Sequence, residues 1–186
     1  MSVTAVLHRF SVDDFHKMGE AGIFCEDDRV ELIEGEIVDM SPIGNRHKSA
    51  VGRLDRLFQR SLPDNVVIQI QNPVRLGDES EPQPDVALLR WRDDFYAGVD
   101  TLPGDVYLLV EVAESSLAFD RGEKARVYAQ NAISEYWVVD LEAKAIIVHR
   151  ESGPQGYASV TTITGQETVS PLAFSEFAIS AADIIL

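Results

Sequence analysis

The sequence predicts an α/β fold with a mixed central sheet flanked by helices, preceded by an N-terminal helix and hairpin. Two observations predict it. Apolar runs of strand length, VVIQIQ, PDVALLR, DVYLLVEVA, EYWVVDL and AIIVHR, fill the middle of the chain. Of two segments of helical periodicity, NRHKSAVGRLDRLFQRSL precedes the run and SSLAFDRGEKARVYAQNA interrupts it. Strands alternating with helices suit a sheet with helices packed on it. The 186 residues can bury a sizeable core, and no repeat, low-complexity tract or linker divides them. A single domain over residues 1–186 is expected.

Each element has its own local signal. Ser11 reads as the N-cap of a short helix in SVDDFHKMGEAG that ends at Gly22. In RVELIEGEIVDM, Glu34-Gly35 lies between apolar residues and reads as a tight hairpin turn, with Ser41-Pro42 closing the hairpin. Val51, Leu54, Leu57, Phe58 and Leu62 then recur at helical spacing. VVIQIQ and PVRL read as strands, and GDESEPQP, with its two prolines, as a loop. PDVALLR is a buried strand, WRDDFYAGVDTLPG a surface connection, and DVYLLVEVA the next strand. Gly122 weakens the helix that follows. EYWVVDL and AIIVHR are two further strands, and the tail from Gly153 reads as short strands and turns.

Composition limits the function. The net charge of −15 and a pI near 4.5 argue against a general nucleic-acid coat, which carries a basic excess. They leave room for an enzyme that concentrates its basic residues or bridges to phosphate through metal ions. Five of the sixteen lysines and arginines, Arg46, Lys48, Arg53, Arg56 and Arg60, fall on the first long helix. They make either a solvated face or a landing strip for phosphates. Cys25 is the one cysteine, so no internal disulfide forms. MSVTAVLHRFSVDDF lacks the shape of a signal peptide, and no stretch approaches the roughly 18 apolar residues of a membrane span. A cytoplasmic location is expected.

Two carboxylates stand at the ends of apolar strands. Asp85 opens VALL after Pro84, and Glu111 closes YLLV. If their strands are neighbours, both side chains meet at one sheet edge. Two such carboxylates repel unless a cation lies between them. Mg²⁺ and Mn²⁺ accept one or two carboxylates with water and phosphate oxygens, and the backbone carbonyl of Val112 is a natural third ligand. The bland alternative is that Asp85 caps a turn and Glu111 pairs with a buried base. Asp120, Lys124 and Tyr128 share a helical face after the Glu111 strand. Lys124 there either steadies a phosphate or water, or makes a plain surface pair with Asp120. Glu31 is a further carboxylate, as a third ligand or solvated. His47 opens the basic helix on its apolar side, as a boundary histidine or an accessory group. Ser115 and Ser116 lack a G-x-S-x-G context and read as helix caps. The four histidines lack zinc-ligand spacing.

ELIEGEIVDMSPIGNRHKSAVGRL, ESEPQPDVALLR and LLVEVAESSLAFDRGEKARVYAQNAISEYWVVD together resemble the Uma-two family of bacterial proteins. That family is assigned to the restriction-endonuclease-like, PD-(D/E)XK superfamily. The resemblance implies a restriction-endonuclease-like core and a metal-dependent phosphodiesterase site. Its proline–aspartate element falls on Pro84-Asp85 and its second acidic position on Glu111. The lysine expected two residues later is Ala113 here, which points to Lys124 on the following helix. The expected function is Mg²⁺- or Mn²⁺-dependent endonuclease hydrolysis of DNA. Asp85, Glu111 and Lys124 would be catalytic, and Asp85, Glu111 and the Val112 carbonyl would hold the metal. Glu31, His47, Asp120 and Tyr128 would be accessory groups. The five basic residues would contact phosphate, and a homodimer would offset weak binding. The alternatives are a non-catalytic interaction or assembly module that keeps the fold, and a hydrolase of a small phosphorylated molecule.

Overall fold

The computed structural model describes residues 7–25 and 27–185. The first six residues of the stretch read above as lacking a leader, and Leu186 at the end of AADIIL, lie outside that set. Helix α1 is Val12–Glu20, and Ser11 and Asp14 form a reciprocal cap at its start. A hairpin follows, β1 (Val30–Ile33) and β2 (Glu36–Asp39). Its turn needs left-handed backbone at both central residues, φ 48° at Glu34 and 75° at Gly35. A side chain at 35 would also strike Arg9, whose Cβ lies 2.5 Å from where the new Cβ would stand.

Helix α2 (Asn45–Ser61) buries Ala50, Val51, Leu54 and Phe58 on one face. The sheet then forms from β3 (Val66–Ile70), β4 (Val86–Arg90), β5 (Val106–Ala113), β6 (Glu135–Asp140), β7 (Ala145–Gly153) and β8 (Gly156–Thr164). Spatial order equals chain order, and all neighbours run antiparallel except β5 and β6. A parallel pair needs a crossover, and helix α3, residues 117–130, is that crossover. Short strands β9 (Thr168–Val169) and β10 (Ile179–Ser180) and the helical turn α4 (Ala181–Ile184) close the chain. The fold is the α/β arrangement with a mixed central sheet and an N-terminal helix and hairpin that the sequence predicts.

The pleat sorts the core into two layers. Val86, Leu88, Val110 and Val112 pack with Leu54 and Phe58 of α2 on one side of the sheet. Ala87, Leu89, Leu109 and Ala113 pack with Val127 and Tyr128 of α3 on the other. Asp85 and Glu111 fall in the second series, on the α3 side.

Three local readings change. PVRL (73–76) is not a strand, because Val74 and Leu76 spend their N–H groups on Pro82 and Ser80 inside the loop. β8 is nine residues long rather than short, drawn out by its ladder to β7. α3 is not uniformly α-helical: Asp120–Lys124 forms a π turn in which the Ala125 N–H reaches back five residues to the Asp120 carbonyl. Among the described residues no helix is long and apolar enough to cross a membrane.

Candidate active site

The antiparallel register sets Val86 opposite Val110, so the next residue out on each strand is Asp85 and Glu111. Both open into a cleft of about 270 Å³ whose lining includes Glu31, His47, Val112, Asp120 and Lys124. The strand ends, the β1–β2 hairpin, the start of α2 and the π turn of α3 thus converge there. Asp85, Glu111 and Lys124 are brought together. So are all four accessory residues, although Tyr128 reaches the site from beneath through Glu111.

Asp85 is held by three donors. His47 Nε2 lies 2.9 Å from Oδ2, the Val112 N–H donates to the same oxygen at 2.8 Å, and Gln71 Nε2 donates to Oδ1 at 3.0 Å. Burial alone would raise this acid, but the bonds from His47, Val112 and Gln71 outweigh it and hold it below its usual range. Val112 therefore presents its N–H to Asp85. The ring of His47 leaves Nδ1 buried without a partner among the described residues.

Glu111 is in the opposite condition. Lys124 Nζ and the Tyr128 hydroxyl donate to its Oε1 at 2.9 and 3.0 Å, and Oε2 receives no bond from the described residues. Burial pushes the acid well above its ordinary value. Lys124 pulls it down, and Asp85, Asp120 and Glu31 push it up again. Lys124 is only 4% exposed, and its second partner is Glu31 at 3.0 Å. Burial works against its charge, but Glu111, Glu31 and Asp120 more than compensate and keep it protonated. Burial and the adjacent Glu111 likewise raise Tyr128, which stays neutral as a donor.

Asp120 is raised by burial to about 6, against the pull of Lys124 and of Ser116, whose hydroxyl donates to it at 2.5 Å. Tyr136 donates to its backbone carbonyl within the π turn. Such turns often mark functional positions in helices.

Several expectations are corrected here. Glu31 is not solvated; it is 2% exposed, binds Lys124 and accepts the Gln83 N–H. The bridge from Leu32 to Glu81 seats the hairpin over the loop before β4, which buries it. Lys124 does not make a plain surface pair with Asp120 but bonds two other carboxylates. Ser116 occupies the cap position of α3 without capping it, because its hydroxyl goes to Asp120. Gln71 was not singled out by the sequence; its positive φ of 53° at the end of β3 is what aims it at Asp85, and no local pattern signals that. Of the five basic residues, Arg46 is tied down by Glu142, Glu114 and the Leu141 carbonyl. Lys48, Arg53, Arg56 and Arg60 have no ion pair among the described residues.

The donor set fits a hard divalent cation. Four buried carboxylates, Glu31, Asp85, Glu111 and Asp120, line the cleft around one buried cation, Lys124. Glu111 Oε2 is left over, and Asp85 stands ionised beside it. Among the described residues no three His, Cys, Asp or Glu side chains form a ready cage. Mg²⁺ does not need one, since it keeps several waters and uses one or two carboxylates.

No curated protein matches the chain. The structure is similar to the "crystal structure of a putative nuclease belonging to DUF820 from Anabaena variabilis ATCC 29413", with a TM-score of 0.72 at 15% identity over 94% of this chain and 97% of that one. At that identity the likeness concerns the fold. The family model of Uma2, described as "Putative restriction endonuclease", matches residues 12–182. With nearly the whole length matched, the chain belongs to the Uma2 family of restriction-endonuclease-like proteins.

Proposed function

We propose that the cleft hydrolyses phosphodiester bonds in DNA with Mg²⁺ or Mn²⁺ bound between Asp85 and Glu111. The observation that carries this reading is the excess of buried carboxylates over cations beside a buried, protonated lysine. Asp85, Glu111 and the Val112 carbonyl would hold the ion. Once bound, it would lower the pKa of a water and shield charge on the phosphate.

The protein's own groups divide the remaining work. His47, Gln71 and the Val112 N–H fix Asp85 in one rotamer, so its free lone pairs need no reorganisation. Tyr128 orients Glu111 from below. Lys124, bonded to Glu111 and Glu31, stabilises negative charge growing on the non-bridging oxygens. Its π-turn position replaces the strand position occupied by Ala113. Asp120, tuned near neutrality, is the carboxyl suited to take the proton from the attacking water. Water adds to phosphorus, the bond to the leaving oxygen breaks, and that oxygen takes up a proton.

The test is nicking of supercoiled plasmid with Mg²⁺ or Mn²⁺. Wild type is expected to nick, and Asp85→Ala and Glu111→Ala to lose activity by at least about 10²-fold, as for removal of a main electrostatic group. Equal background in all three would end the nuclease reading. The net charge of −15 favours a second reading, hydrolysis of a small phosphorylated molecule. It would show as cleavage of bis-p-nitrophenyl phosphate with no plasmid nicking.

A further inference from the structure

We infer that the solvent face of α2 is a track for the phosphate backbone of duplex DNA, leading away from the cleft. The identity of the polyanion as DNA rests on the nuclease reading above; the track itself rests on charge and placement.

The first turn of α2 has two sides. His47 reaches into the cleft, whereas Asn45 and Lys48 belong to a shallow groove on the outside of the same helix. That groove continues over Ser49, Gly52, Arg53 and Arg56. Its floor is small side chains, and a Cβ added at Gly52 would meet nothing within 4 Å, so a backbone can approach closely. Its walls are cationic. Lys48, Arg56 and Arg60 are exposed and Arg53 is half-buried, and none has a carboxylate partner among the described residues. On a chain of net charge −15 this is a concentrated exception. Most other arginines are neutralised: Arg9 by Glu36, Arg75 by Asp13 and Asp100, Arg92 by Asp94, Arg126 by Glu34, Arg150 by Glu135. Asp55, the acidic residue of α2, is engaged by Gln59. From Lys48 to Arg60 the helix rises about 18 Å, the length of about five base-pair steps. A duplex laid along α2 therefore contacts the protein on one side of the scissile bond, and the acidic surface elsewhere repels it.

The experiment is fluorescence anisotropy with a short labelled DNA duplex in EDTA, titrated between about 50 and 200 mM salt. Four phosphate contacts give a slope of log K against log salt of about −3 to −4. Arg53→Gln/Arg56→Gln is expected to bring it to about −2 and to weaken low-salt binding roughly tenfold. Lys48→Gln, at an exposed site, is expected to lower the slope by about one. Arg92→Gln, a paired arginine, is expected to change neither. Unchanged slopes in the α2 variants overturn the track, as does tighter binding of an RNA duplex of the same sequence. If the α2 variants still nick plasmid as wild type does, DNA enters elsewhere and the nuclease reading survives. If wild type binds through α2 but never nicks, the track survives and the nuclease reading fails.

Discussion

Glu111 and Glu135 are buried carboxylates on neighbouring parallel strands, at opposite ends of the sheet, and they are not alike. Glu135 is fully satisfied. Arg150 donates twice to Oε1 at 2.8 and 2.7 Å, Trp137 Nε1 donates to the same oxygen at 2.9 Å, and the Leu172 N–H donates to Oε2 at 2.6 Å. The Arg150 bonds tie β6 to β7, the Leu172 bond ties it to the C-terminal segment, and the Trp137 bond lies within β6 itself. Glu111 has donors on one oxygen and three other carboxylates around it. One group is an anchor and the other is held in a state that folding alone does not favour. Burial does not separate them; the local balance of charge and donors does.

The largest effect on stability is expected at the anchor. Glu135→Gln strands the Arg150 charge and replaces acceptors with a donor, and should cost about 3–5 kcal/mol in chemical denaturation. If Glu111→Gln costs more than Glu135→Gln, the contrast is wrong.

The next effect is a pH dependence. Asp120 has a folded pKa of about 6 against an ordinary 3.8. Below about 3.8 it is protonated in both states and contributes nothing. Between the two values the folded state holds the extra proton, so stability falls as pH rises, and above 6 the full cost of roughly 2–3 kcal/mol is present. Glu111 acts in the same direction. Asp120→Asn should flatten that decline, seen as a smaller difference between melting curves at pH 4 and pH 7. A decline of undiminished size in the variant would show that Asp120 is not strained.

Away from both regions, Ser11→Ala removes the reciprocal cap of α1 and should cost about 1 kcal/mol with no change in cleavage. The smallest change in stability is expected for Glu111→Gln, under about 1 kcal/mol, because removing one of four like charges offsets the lost bond to Lys124.

The two regions were also unequally legible in the sequence. Glu34-Gly35 announces its hairpin because few pairs tolerate two left-handed residues. α2 announces itself through its apolar spacing. Asp85 and Glu111 were visible as charges at the ends of greasy strands, one opening and one closing, and Lys124 as the residue one turn after Asp120. Glu31 was a candidate left open between third carboxylate and solvated residue, because that depends on where a hairpin lands. Gln71 was not visible, because its role depends on how a loop turns after β3. PVRL looked like a strand because its composition is right; a strand also needs a partner, and the loop took its N–H groups. Ser116 looked like a cap because the pattern cannot say that a buried carboxyl four residues on competes for its hydroxyl.

The most direct measurement is Mn²⁺ binding followed by electron paramagnetic resonance on the purified protein. Wild type is expected to bind one ion, Glu111→Gln to weaken it at least about tenfold, the scale of one lost charge-assisted ligand, and Glu135→Gln, if folded at low temperature, to bind as wild type does. No binding by wild type, or equal binding by Glu111→Gln, would contradict the claim that the unbalanced carboxylates form a cation site.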